Sequence, residues 1–177
     1  MDSPSRRPDR TISAMPQHTP PAPVVNDPAT TPSALRRHLA RWPTGVAVVT
    51  TVVDGRPVGK TINSFHSTSL QPPLVGWCVD HGSSQLDDWL AADGFVVHVL
   101  SADQIPLATH FANRSADRFA GIEWTAGLDG MPLLVADVPL RLECRVRHRL
   151  PVGDHTYLVG QVVDLTAGPA IPLVLQR

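Results

Sequence analysis

The chain has 177 residues, 42% hydrophobic and 18% charged, which gives the length and apolar content for one domain with its own core. Its formal net charge of -1 excludes a global field that would recruit nucleic acid or an anionic membrane. No apolar run approaches the roughly 18 residues of a membrane span, and the polar start from Met1 to Arg10 is not that of a secretory signal, so a cytoplasmic protein is expected.

Residues 1–30 hold Pro4, Pro8, Pro16, Pro20, Pro21, Pro23 and Pro28 among Ser, Thr, Asp and Arg. Proline at that density removes backbone donors and offers no packing surface, which predicts a disordered tail ahead of one domain over 31–177. Thr31-Pro32 is an N-cap followed by proline at the first helical position, and Leu35, Leu39 and Trp42 recur at helical spacing until Pro43. Strands follow. Val46 to Val53 is rich in Val and Thr, Asp54-Gly55 supplies a two-residue hairpin turn, and Val58 to Ile62 returns. Ser64 to Leu70 is extended and closed by Pro72-Pro73; Leu74 to Val79 is a short buried strand. Ser84 caps a helix from Leu86 to Ala92, Asp93-Gly94 stops it, and Phe95 to Leu100 is the next strand. Ser101 to Gln104 has the form of a capping box for a helix reaching Ala112. After a looped stretch with Trp124, Gly127 and Gly130, Leu140 to Leu150 alternates. Leu140, Leu142, Cys144 and Val146 point inward; Arg141, Glu143, Arg145, Arg147 and Arg149 point outward. Pro151 to Asp154 turns the chain, His155 to Leu165 is a long strand, and Ile171 to Leu175 a last short one. Many antiparallel strands with two or three helices predict a mainly β fold closed as a barrel, not a parallel α/β sheet.

Several constellations are missing. The glycine patterns of Rossmann and P-loop sites do not occur, and neither do G-x-S-x-G or H-E-x-x-H. The eight histidines lack metal-ligand spacing, so no metal is expected, and Cys78 and Cys144 read as buried small hydrophobes. Two stretches remain. From Thr61 to Leu70 hydroxyl and amide groups crowd a strand, which is costly unless a polar planar ligand satisfies them. Downstream, Asp80-His81-Gly82-Ser83-Ser84 leads into a helix; such a turn either holds a phosphate or is an ordinary cap. The second stretch is Val152 to Tyr157, where His155 follows a Gly-Asp turn. The arginine row of Leu140 to Leu150 is either the wet face of a sheet or a site for an anionic cofactor, the former being the more common role.

Taken together, these residues resemble the flavin reductase family of split β-barrels, the reductase components of two-component flavin monooxygenases and halogenases. The resemblance rests on Pro43-Thr44-Gly45-Val46; on Asn63-Ser64-Phe65 with Ser67, Ser69-Leu70 and Pro72-Pro73; and on Val99 to Gln104, Phe111-Ala112, Asp117 to Gly121, Leu142-Glu143-Cys144 and Gly153 to Thr156. It implies a homodimer that binds FMN or FAD in a groove beside the barrel near the subunit boundary and takes hydride from NADH or NADPH. It places flavin contacts on Thr61, Ile62, Asn63, Ser64, Ser69 and Leu70, the phosphate on Ser83 and Ser84, and Phe111 at the outer part of the site. His155, with Phe119 nearby, meets the nicotinamide in a positional role. Reduced flavin would then diffuse to a partner monooxygenase.

Lys60, His66, Trp77 and His98 depart from the family's usual residues, and the chain ends at Gln176-Arg177, short of the segment with which relatives continue. Two other readings stay open, the first supported by these departures and the second by the proline-rich tail. One is a same-fold protein that retains its flavin and acts directly in a biosynthetic oxidation. The other is a non-catalytic interaction protein that docks a partner through its proline-rich tail.

Overall fold

A computed structural model describes residues 30–114 and 117–176. The expected tail lies outside the described residues as far as residue 29. Helix α1 (Pro32–Leu39) opens as its sequence predicts, with Thr31 Oγ1 accepting from the Ala34 amide at 3.3 Å. It ends earlier than its apolar spacing predicts and buries only Ala34, leaving Leu35 and Leu39 exposed. The apolar face lines an open cavity described below, and periodicity alone does not distinguish that from a core.

Among the described residues there are eleven strands, the expected ones in their expected order with β1, β7 and β8 added. They are β1 (Thr44–Gly45), β2 (Ala47–Val53), β3 (Arg56–Ile62), β4 (His66–Leu70), β5 (Pro73–Asp80), β6 (Gly94–Val99), β7 (Trp124–Ala126), β8 (Pro132–Leu134), β9 (Leu140–Val152), β10 (His155–Ala167) and β11 (Val174–Leu175). Helices α2 (Leu86–Ala91) and α3 (Ile105–Ala112) flank β6 in sequence. Asp54 and Gly55 both take positive φ, 50° and 72°, the geometry whose twist matches a tight hairpin between β2 and β3. The β9–β10 hairpin turns on Gly153 and Asp154 alone, tighter than the four residues expected. The stretch expected as loop contains the small β7–β8 hairpin, whose three-residue strands are too short to show a period.

Seven strands form one antiparallel sheet in the order β3-β2-β6-β9-β10-β5-β4. It curls around a core that draws on both halves, with Val49 and Val58 from one side and Val75, Trp77, Val79 and Leu158 from the other. The two edge strands, β3 and β4, have no ladder between them among the described residues, which leaves the barrel split. Trp77 is fully buried at its centre, edge-on to Trp89 at 4.9 Å and to Phe95 at 5.9 Å. It fills the barrel. A second cluster of Val46, Val48, Leu100, Phe111, Leu134 and Val138 packs α3 and β8 on the outer face of β2.

His98 belongs to this framework as well. Its Nδ1–H donates to the Val48 carbonyl (3.2 Å), and its Nε2 accepts from the Leu134 amide (3.1 Å), so the ring is held neutral in one tautomer. Both cysteines are free; Cys144 is buried and desolvation pushes its thiol up to about 12, which makes it inert. The arginines of β9 are occupied internally. Arg141 and Arg149 donate to the carbonyls of Leu134 and Ala92, Arg145 pairs with Asp129, and Arg147 holds Gln161. Each of these four guanidiniums has a partner within the chain.

Candidate functional site

The site is built on the C-terminal half of β3. Gly59 lets α3 approach: a Cβ there would lie 2.5 Å from the Phe111 ring. Phe111 is fully buried, edge-on to Phe119 at 5.3 Å, so it supports the strand from behind. Thr61 then ties β3 to the helix through Oγ1, which donates to the Ala108 carbonyl at 2.6 Å. On the other face of the strand Lys60 spans the split in the barrel. Its ammonium sits 2.7 Å from Asp80 Oδ2 at the end of β5 and 3.3 Å from Ser83 Oγ. The Lys60 hydrogen bond holds the Asp80 carboxyl below the usual carboxylate range.

Around this pair lies a cavity of about 190 Å³, whose lining includes Thr61, Ser83, Ser84, Phe111, Arg114 and Arg118. Three cations against one carboxylate give it a positive balance. Arg118 is 8% exposed and acts as a strut. It donates to the Asn113 carbonyl (2.7 Å), the Gly59 carbonyl (2.8 Å) and Gln85 Oε1, joining α3, β3 and the start of α2. Burial, and secondarily the like charge of Arg114, pull its pKa down. The turn itself differs from the expectation. Gln85, not Ser84, precedes α2 and makes no side-chain cap; Ser83 N donates to the Asp80 carbonyl and its Oγ accepts from Gln85 N. With six residues in α2, the positive charge comes from Lys60 and the arginines and not from a helix terminus.

Past Ile62, which is buried in the barrel core, the chain crosses from β3 to β4 through Asn63, Ser64 and Phe65. Asn63 donates to Thr44 Oγ1 at 3.3 Å. Ser64 Oγ accepts from Cys78 N at 3.0 Å and reaches the Cys78 carbonyl, adding a side-chain rung beside β5. The density of polar groups that marked this stretch thus has partly a structural cause. Strand β4 is the sheet edge, with a register shift between Ser67 and Ser69; Ser69 is half-buried and Leu70 is 91% exposed.

Asn63 also lines a second, larger cavity of about 560 Å³, together with Leu35, Arg36, Leu39 and Trp42 around α1, and Asp154 and His155 at the start of β10. His155 Nδ1 lies 2.6 Å from Asp154 Oδ1. Because a carboxylate only accepts, Nδ1 carries the proton and Nε2 is the acceptor in the neutral ring. The same contact lowers the Asp154 pKa. Phe119 is elsewhere. It lines a third cavity with Arg56, Pro57, Gln85, Asp117 and Arg118, so within one chain it is not beside His155.

The structure thus brings Thr61, Ser83, Ser84 and Phe111 to one cavity and Asn63 and His155 to another, with the β3–β4 crossover between them. Lys60, Arg114 and Arg118 complete the first. A lone Arg or Lys has no periodic or spacing signal in sequence; Lys60 stands out only as a departure from the family, and Arg118 only within the Asp117-Arg118-Phe119 motif.

The flavin reductase like domain family matches residues 39–177. The chain is 39% identical over 140 residues to an NADH-dependent FMN reductase of Agrobacterium fabrum, covering 79% of each. It is 34% identical over 149 residues to the reductase subunit of a flavin-dependent monooxygenase of Mycobacterium tuberculosis, covering 82% of this chain and 79% of that one. Among solved structures, the NADH:FAD oxidoreductase of Streptomyces globisporus, in complex with NAD and FAD fragments, superposes with a TM-score of 0.78 at 36% identity, over 88% of this chain and 93% of that one. The match spans 42% of the length of a longer Rhizobium meliloti relative, to which this chain is 39% identical over 132 residues. The barrel, the order of its motifs and these matches over most of the chain agree, and the chain belongs to the flavin reductase family.

Proposed function

We propose that this protein is an NAD(P)H-dependent flavin reductase that reduces FMN or FAD and releases the reduced flavin to a partner flavin-dependent monooxygenase or halogenase. One observation carries the reading: the end of β3 sends Thr61 into a cationic cavity and Asn63 into a second cavity that holds His155. The donor set fits the ligand. Lys60, Arg114 and the Ser83 and Ser84 hydroxyls suit a phosphate, with Arg118 adding charge behind them, and the backbone and side chains of Thr61, Ile62, Asn63 and Ser64 suit the polar edge of the ring system, with Ser69 and Leu70 following on β4. Bound together, nicotinamide and flavin supply the chemistry themselves, a hydride passing between stacked rings.

The chain's own task is positioning and exclusion of water. His155 Nε2 orients the nicotinamide carboxamide while Asp154 fixes the ring. Phe111 supports β3 from the outer face, and Phe119 flanks the cationic cavity. No residue needs to move a proton for this step. The second cavity is open, and Leu35, Leu39 and Trp42 on its wall are 50%, 60% and 73% exposed; with Val163 and Leu165 on β10, also exposed, they support a homodimer in which a second subunit closes the site. No helix among the described residues is long and apolar enough to cross a membrane, and a cytoplasmic location is part of the proposal. So is the division of the chain at residue 30, with one domain over 31–177.

Steady-state oxidation of NADH and NADPH, with FMN, FAD or no added flavin, tests the reading. Turnover that requires added flavin and saturates with it is expected. A protein that purifies with stoichiometric flavin and turns over nothing more when flavin is added would overturn it.

A further inference from the structure

The only tyrosine of the chain makes a contact that the site described so far does not use. Tyr157 stands on β10, on the same face as His155, and pairs in register with Cys78 of the neighbouring strand β5. Its ring does not stay over β10. It lies across β5 above Gly76, so close that a Cβ at position 76 would sit 2.1 Å from the phenol oxygen. From there it reaches β4, two strands away, where the hydroxyl meets Thr68 Oγ1 at 2.8 Å and His66 Nε2 at 2.9 Å; the His66 and Tyr157 rings are parallel within 3°. His66 in turn lies 3.0 Å from the Ser64 carbonyl through Nδ1. A carbonyl only accepts, so Nδ1 carries the proton and Nε2 of the neutral ring accepts from the tyrosine. Thr68 then donates to the phenol oxygen.

We infer that Tyr157 and His66 form a strap across the sheet that positions the crossover Asn63–Phe65 and the edge strand β4 for flavin. The inference rests on the flavin reductase reading above and adds two positioning residues to it. Strand β4 needs such an anchor: it has five residues, sits at the sheet edge, is mostly exposed, and its ladder to β5 is broken between Ser67 and Ser69. Edge segments with few buried contacts open locally at low cost. The strap ties the segment to β10, the strand that also carries His155, so one side chain references the flavin segment and the nicotinamide residue to the same frame. Gly76 is the residue that makes room for it. None of these contacts serves the core, because Trp77, Val79 and Leu158 face the interior on the alternate positions.

Tyr157→Phe keeps the ring over Gly76 and removes both hydroxyl bonds, so the fold survives it. FMN titration by fluorescence quenching should show Kd raised about three- to ten-fold, the effect of one or two lost hydrogen bonds, and KM for flavin should rise alongside while KM for NADH stays put. His66→Ala should match it. His66→Gln, whose amide can donate to Ser64 and accept from Tyr157, should restore most of the affinity. With fluorotyrosine incorporated, the single fluorine resonance should shift when FMN saturates the wild-type protein. Unchanged flavin Kd in both Tyr157→Phe and His66→Ala would overturn the strap while leaving the reductase intact. So would equal losses for flavin and NADH accompanied by a fall in Tm, which would mark a purely structural contact. A wild-type protein that binds no flavin at all would instead remove the reading on which the strap rests.

Discussion

At His155, the neighbouring residue decides what the ring can offer. Asp154 is almost fully exposed, yet it lies 2.6 Å from Nδ1 and so leaves Nε2 as the ring's acceptor. A nicotinamide carboxamide oriented by that nitrogen gains one hydrogen bond, so His155→Ala should raise KM for NADH about three- to ten-fold. Flavin Kd should stay unchanged in the same variant, and a matching rise there would mean that His155 acts on the flavin side. Lys60 is the complementary case. It carries charge into a cavity that already holds Arg114 and Arg118, and it is fixed there by Asp80 and Ser83. Lys60→Met should weaken FMN by roughly ten-fold through loss of a charge-assisted contact. Riboflavin has no phosphate and should bind the variant and the parent equally; parallel losses for the two ligands would show that Lys60 does not read the phosphate.

Among the elements, the contact of β3 with α3 sets where the site stands. Gly59 faces the Phe111 and Phe119 rings, and a methyl group there would lie 2.5 Å from one and 3.1 Å from the other. Both rings are packed, Phe111 fully buried, so Gly59→Ala should cost about 1–3 kcal/mol by overpacking. Gly45→Ala is the control, since nothing lies within 4 Å of its added methyl and its cost should stay under about 0.5 kcal/mol. Urea unfolding of both variants checks the pair. The strands of this framework were legible because Val-rich runs and the Asp54-Gly55 turn are local signals. The face of α1 was not, because Leu35 and Leu39 look the same whether they meet a core or an open cavity. The cap of α2 is hidden for a similar reason: Ser84 is a good cap in isolation, but the turn at Ser83 runs on through it and the helix begins only after Gln85. At the site, the polar run of Thr61 to Leu70 was visible, while the Lys60–Asp80 pair and the reach of Arg118 to Gly59 join residues 20 and 59 positions apart. No local pattern encodes such distances. His98, Trp77, Lys60 and His66 stood out only as departures from the family; the fold assigns the first two to the core and gives the others partners near the flavin segment.

At the scale of the whole molecule, His98 is an acid-sensitive joint between the barrel and the second core cluster. His98 is fully buried where β2, β6 and β8 meet, donating to Val48 and accepting from Leu134, and both ring nitrogens are spent only while the ring is neutral. Burial first, and the positive charge of Arg141 second, bring its pKa down from 6.5 to about 3. Between those values the unfolded chain binds a proton at this histidine and the native state does not. Unfolding therefore takes up a proton, and stability must fall as pH drops below 6.5, by at most about 1.4 kcal/mol for each pH unit. The carboxyls of Asp80 and Asp154, both held below their ordinary 3.8, act in the same direction but only once the medium approaches that value. A window from about pH 6.5 down to about pH 4.5 thus isolates the histidine from these two carboxyls. Tm of the wild-type protein should decline through that window. His98→Asn should start lower, because a shorter side chain cannot serve both Val48 and Leu134, yet it should lose much of the slope. Parallel curves for the two proteins would place the acid sensitivity elsewhere. A flattened curve would show that this single ring links the second core cluster to the barrel in a manner that depends on its remaining uncharged.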